Sequence, residues 1–112
     1  MPEPTVSLDE LAALSAEPFE SRPDAPVTLM DGEGASVALT LRAVRRNPGG
    51  TPPRALREAF SLILEDEPGR EINAGAFFLH HPAVGTLPPV VVNPIMDTDG
   101  DAAGRLYQVV FA

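Results

Sequence analysis

The chain predicts an all-β domain: about six antiparallel strands in meander order, forming a small barrel or tight sandwich, with one short N-terminal helix. Three observations lead there. The last third, residues 75–112, holds three strand-length runs rich in aromatic and β-branched side chains, each bounded by Gly, Pro or Asp. From Ser36 onward the chain alternates, with Val37, Leu39, Leu41 and Ala43 on one face and Ser36, Ala38, Thr40 and Arg42 on the other, the pattern of a sheet with one wet face. Four of the five Phe, together with Tyr107, lie between Phe60 and Phe111, so the core must form in this part of the chain.

Length and charge set the outer bounds. At 112 residues the chain is one domain, 1–112, and a fold of this size buries about two thirds of its unfolded surface, enough for one modest core. Without cysteine it has no disulfide framework and no thiolate metal site or nucleophile. Sixteen acids face eight basic residues, all Arg, for a net charge of -8, which repels phosphate backbones and argues against nucleic-acid or anionic-membrane partners. The opening Met-Pro-Glu-Pro lacks a basic stretch followed by an apolar one, and no apolar run approaches the roughly 18 residues that span a bilayer. The expectation is a soluble cytoplasmic protein.

Taken in order, residues 5–14 open with Ser7-Leu-Asp-Glu10, the spacing of a capping box, and Leu8, Leu11, Ala12 and Leu14 then form a one-sided apolar stripe. So short a helix must dock, most simply as a lid across one opening of the sheet; the functional alternative is a partner-binding helix. Ala16 to Ala25 holds Phe19 between Pro18 and Pro23 and reads as a short extended or edge segment. Val27 to Met30 and Ser36 to Val44 make a hairpin around Asp31-Gly-Glu-Gly34. Residues 47–53, Asn-Pro-Gly-Gly-Thr-Pro-Pro, read as an exposed loop, and Leu56 to Glu65 as a strand carrying Phe60, Leu62 and Leu64 on one face. Asp66-Glu-Pro-Gly69 reads as an acidic turn. In the C-terminal meander Phe77, Leu79 and His81 share one face while Phe78 and His80 share the other. Pro88-Pro89 then places the start of the Leu87 to Ile95 strand at an edge or a bulge. The expected core is Val37, Leu39, Leu41, Phe60, Leu62, Leu64, Phe77, Leu79, Val90, Val92, Tyr107, Val109 and Phe111.

No catalytic constellation emerges. His80 and His81 are strand neighbours that point to opposite faces and cannot chelate one ion, and the chain has no other His. Asp97, Asp99 and Asp101 suggest calcium, but Gly100 falls at loop position 4 and Gln108 at position 12, where a helix-flanked calcium loop needs Gly at 6 and Glu at 12; a solvated hairpin turn fits better and weak calcium binding stays open. Ser61 should face outward and His81 inward, so the two should not meet as nucleophile and base. Phe78 is the oddity: an aromatic on the outer face beside His80, either buried under another layer or an interface anchor, which makes Phe78 and His80 the candidate interaction residues.

Five segments carry a resemblance. Leu8-Asp-Glu-Leu11, Phe60-Ser-Leu-Ile-Leu64, Gly75-Ala-Phe-Phe-Leu-His-His-Pro-Ala-Val-Gly85, Pro94-Ile95 and Tyr107-Gln-Val-Val-Phe111 resemble, in this order, the pattern of a family of small uncharacterised bacterial proteins, a domain of unknown function. Phe78 and Pro88-Pro89 depart from that pattern, at positions that bear on the sheet edge and the oligomeric state. The resemblance implies an accessory or structural part near phage-tail-collar-like or fibre-like proteins rather than a catalyst.

The leading expectation is therefore a non-enzymatic interaction or structural module that binds a protein partner, with no cofactor and with a homodimer allowed. The runner-up is a small-ligand-binding barrel with a lined cavity, and the third an undetected hydrolase.

Overall fold

A computed structural model describes residues 5–22, 24–33, 35–46, 59–66, 75–95 and 105–111. Two short helices, α1 (Leu8–Ala12) and α2 (Glu17–Glu20), precede seven strands: β1 (Pro26–Met30), β2 (Ser36–Arg46), β3 (Phe60–Asp66), β4 (Gly75–His81), β5 (Gly85–Thr86), β6 (Val90–Ile95) and β7 (Arg105–Phe111). All pairings are antiparallel, and six strands close into a barrel in the order β1-β2-β3-β7-β6-β4, with β4 returning to β1. Among the described residues, closure pairs β1 with β4 over three residues, where an open sheet would leave both as edges.

The barrel consists of two three-stranded meanders, β1-β2-β3 and β4-β6-β7, joined where β3 pairs with β7 and β4 with β1. A continuous meander would have put β4 beside β3; instead these consecutive strands stand three places apart in the ring. The ladder formed in its place is a long one. Phe60 to Asp66 pairs with Arg105 to Phe111 along its whole length, an all-apolar inner row of Phe60, Leu62 and Leu64 meeting Phe111, Val109 and Tyr107.

Strand β2 breaks its alternation midway. Leu41 pairs with Leu64 and Ala43 with Ile63, so Arg42 is an extra residue, a β-bulge. Past it the faces exchange: Val44, not Ala43, packs against the core. The expected inner face of Val37, Leu39, Leu41 and Ala43 therefore holds only as far as Leu41. The bulge leaves the Arg42 side chain on the outside, with its Nε 2.9 Å from Glu65 Oε1.

A second bulge accounts for Pro88-Pro89. His81 pairs with Gly85 and His80 with Thr86, and the Leu87 N–H donates to the Leu79 carbonyl at 2.8 Å. From Phe77–Val90 onward the register has shifted by one, so Pro88 and Pro89 together stand opposite Phe78. Two residues without N–H donors occupy the one interval where the ladder is interrupted.

The interior is filled by side chains. Val27, Leu29, Leu39, Leu41, Phe60, Leu62, Leu64, Leu79, Val92, Tyr107, Val109 and Phe111 are buried, while Val37 and Phe77, expected in the core, are half-buried against it. Two corrections concern the ends of elements. Ala16 to Ala25 is not an extended segment: Glu17–Glu20 is a helical turn with Pro18 in its first turn, where a missing N–H costs nothing. Asp66 is not a solvated turn residue; it is the last residue of β3, on the inward parity, opposite Arg105 and fully buried. Of the expected strand 56–65, the described part begins at Ala59 with the strand itself from Phe60, and loop 47–53 lies outside the described residues.

Candidate functional site

One end of the barrel is closed by α2. The ring of Phe19, fully buried, lies 4.9 Å edge-on from His81, 5.8 Å from Phe60 and 6.1 Å from Phe111, and the last two rings stack at 4.7 Å. These partners sit at the start of β3 and the ends of β4 and β7, so one aromatic spans the opening. Arg46, at the end of β2, holds the helix from outside through its Nε, 3.1 and 3.2 Å from the Glu20 carboxylate oxygens, and through Nη2 to Oε1. That hydrogen bond is the main cause that keeps the Glu20 carboxyl below its ordinary pKa.

The helix expected as a lid, α1, is anchored beside β5. Ser7 and Glu10 do form the capping box, with Ser7 Oγ accepting from the Glu10 N–H and Glu10 Oε1 from the Ser7 N–H. The preceding residues tie it to β5: the Thr5 and Val6 N–H groups both reach the Thr86 carbonyl, and Thr5 Oγ1 accepts from the Thr86 N–H at 2.9 Å. Leu11 and Leu14 pack on the core, but Leu8 is 73% exposed. The stripe is therefore narrower than expected, and Val6 rather than Leu8 supplies its buried start.

The two histidines separate as their parity requires. His80 is exposed, its Nδ1 3.0 Å from Thr86 Oγ1. His81 is fully buried, and its Nδ1 accepts the Ala83 N–H at 3.0 Å, which fixes the proton on Nε2. Nε2 has no hydrogen-bond partner among the described residues. Burial, helped by the charges of Arg22 and His80, holds the His81 pKa below its ordinary value. Among the described residues no carboxylate is hydrogen-bonded to this ring; its bond comes from the backbone. Ser61 faces outward on β3, away from His81.

Phe78 takes the outer position predicted for it. It is half-buried, flanked in register by Met30 on one side and Pro88-Pro89 on the other. The outward positions that follow on β4, β6 and β7 are Ala76, Val91, Asn93, Ile95, Leu106, Gln108 and Val110. Val91 and Val110 are 60% and 57% exposed. Because Val92 pairs with Val109, these two valines lie side by side, with Ala76 beyond one and Ser61 beyond the other. Among the described residues this half of the barrel carries no Asp, Glu or Arg on its outer side. The opposite half carries Arg42, Arg45 and Glu65.

The sequence reading named Phe78 and His80 and passed over Val91 and Val110. The signal was present: aliphatic residues at outward parity in Val90-Val91-Val92 and Val109-Val110. In uninterrupted valine runs, composition masks that parity. Asp97, Asp99 and Asp101 lie outside the described residues; among the described residues no cluster of three or more His or acidic side chains could hold a metal ion. A cleft of about 200 Å³ opens beside the β2 bulge, between Phe19, Glu20 and Arg42 to Val44. A shallower groove lies between Thr5 to Leu8, Glu10 and Pro88-Pro89. No helix among the described residues is long and apolar enough to cross a membrane.

The model of a domain of unknown function, DUF6916, matches residues 14–111. The chain belongs to this family. No curated protein and no solved structure matches the chain. The DUF6916 match takes in the plug residue Phe19 and every strand, and it starts after α1.

Proposed function

We propose that this DUF6916 domain is a non-enzymatic protein-interaction module that presents the outer side of β4, β6 and β7 to a protein partner. The observation that carries the reading is the exposed face around Val91 and Val110, without Asp, Glu or Arg on its outer side among the described residues, in a chain of net charge -8. Exposed, contiguous apolar surface of this kind marks contacts, because an unused patch invites aggregation. Phe78, half-buried between Met30 and the proline pair, is a rigid aromatic at the margin of the face. A ligand-binding barrel needs a lined interior, and the interior here is filled with Leu, Val and aromatic side chains. A Ser-His-acid hydrolase needs a base oriented by a carboxylate, whereas the described partner of His81 is a backbone N–H. An accessory role in a tail-like or fibre-like assembly is the setting that the sequence resemblance implies, and a chain without cysteine suits a reducing compartment such as the cytoplasm.

Affinity capture from extracts of the source cells tests the proposal, with tagged wild type and Val91→Glu run in parallel. A protein recovered near one-to-one with the wild type and lost from the variant is the expected result. Recovery of bait alone in both, or of the same protein by both, overturns it.

A further inference from the structure

We infer that α2 is a pH-sensitive plug: protonation of His81 drives Phe19 out of the barrel end and uncovers the stacked rings of Phe60 and Phe111. The inference is independent of the face around Val91 and Val110. Its basis is where a second proton would have to go. In the neutral ring Nε2 carries the proton, and Nδ1 holds the lone pair that accepts the Ala83 N–H at 3.0 Å. A second proton can bind only at Nδ1, so it sets N–H against N–H and strips the Ala83 amide of its acceptor. The imidazolium then holds two donors, neither with a described partner, at a fully buried position.

The described surroundings do not compensate that charge. Arg22, just after α2, and His80, on the same strand, both repel an added proton. On α2 itself Glu17 is exposed and Glu20 is held by Arg46, while Asp24 is exposed with a carboxylate oxygen 3.9 Å from Arg42. The acids of α1, Asp9 and Glu10, are exposed, and Glu10 caps its own helix. Strands β1, β5 and β6 carry no charged side chain, β2 ends here in Arg45 and Arg46, and Glu65 and Asp66 of β3, like Arg105 of β7, stand at the opposite end of their ladder from Phe60 and Phe111. The part that yields is the plug. β4 is fixed by β1 on one side and by β5 and β6 on the other. α2 has four residues and no side-chain N-cap bond, too little to hold a helix once undocked, and its outer tie to Arg46 is an exposed ion pair of small worth. The His81 ring touches it directly, 4.9 Å from the ring of Phe19. With Phe19 withdrawn, His81 titrates at its ordinary 6.5; with Phe19 in place, burial holds it lower, so the open form takes up the proton first and opening grows as pH falls from 6.5 toward the closed-state value.

Amide exchange of the full chain, followed by NMR from about pH 8 to about pH 5 and corrected for the intrinsic pH dependence of exchange, tests this. The reporters are the Glu20 and Ser21 amides, bonded to the Ala16 and Glu17 carbonyls, against Leu62 to Leu64 in the core. In the wild type the protection of Glu20 and Ser21 should fall, relative to the core, by up to about tenfold for each pH unit between 6.5 and the closed-state value. His80→Gln should keep this dependence. Two replacements that cannot take a proton should abolish it: His81→Asn, whose Oδ1 still offers Ala83 an acceptor, and His81→Leu, which keeps the site apolar. The wild type alone can overturn the inference, either by constant α2 protection while His81 titrates, its charge accommodated against the Phe19 ring, or by α2 and core losing protection in step. A dependence that survives in a folded His81 variant, or that disappears in His80→Gln, overturns it equally.

Discussion

His81 is the residue whose chemistry is least at ease with its place. Its ring is buried and neutral, with one nitrogen satisfied and Nε2–H without a partner among the described residues. Its folded-state pKa lies below the ordinary 6.5, so the unfolded chain takes up the proton first as pH falls. The contribution is therefore complete above 6.5 and lost as pH drops from 6.5 toward the folded-state value. Urea midpoints at about pH 8 and about pH 5 should converge less in wild type than in His81→Leu, which removes both the titration and the orphaned donor. Equal pH slopes in the two proteins would remove His81 as a titrating group. Gly85 is the other constrained residue. Its φ of +100° disfavours any side chain, and a Cβ would run into Thr5 Oγ1. Gly85→Ala should cost about 1–3 kcal/mol by chemical denaturation. At Gly75 an added Cβ meets nothing within 4 Å, so Gly75→Ala should stay within about 0.5 kcal/mol.

At the scale of elements, α2 matters far beyond its four residues. Phe19→Ala removes the ring that meets Phe60, Phe111 and His81 and leaves a hole at the barrel end, which should cost about 3–5 kcal/mol in a denaturant titration. Glu20→Gln, which weakens an exposed pair with Arg46, should lower the thermal midpoint only slightly. The strands were legible in the sequence because alternation and composition agreed: β1, β2, β4 and β7 stand where the pattern put them. The plug was not. Prolines on both sides of Phe19 argue for extended chain, and only the tertiary gain of filling the opening turns Glu17–Glu20 into a helix. The β2 bulge was equally hidden, since Arg42 fits an alternating strand until the register on β3 is known. The same holds for Val91 and Val110, whose exposure depends on which strands neighbour them.

At the scale of the whole molecule, the excess of eight negative charges works against compactness, and screening it should help. Raising sodium chloride from about 20 mM to about 200 mM should increase the urea midpoint of the wild type; a flat or falling midpoint would show that the acids are already compensated by local partners. All-β character, a single core and a barrel as one of two closures were readable from length, cysteine content and the spread of aromatics, but the strand order at closure was not, because no local pattern tells β3 to bypass β4 for β7. That closure has an uneven seam. β3 and β7 are joined over seven residue pairs from Phe60–Phe111 to Asp66–Arg105, whereas β1 and β4 meet in three, Thr28–His80, Leu29–Leu79 and Met30–Phe78. The ring thus has a zip and a clasp. Undoing the clasp would flatten the barrel into a six-stranded ribbon with two raw edges while the long ladder stayed intact, so amide protons of Thr28 to Met30 should exchange with solvent well before those of Leu62 to Leu64.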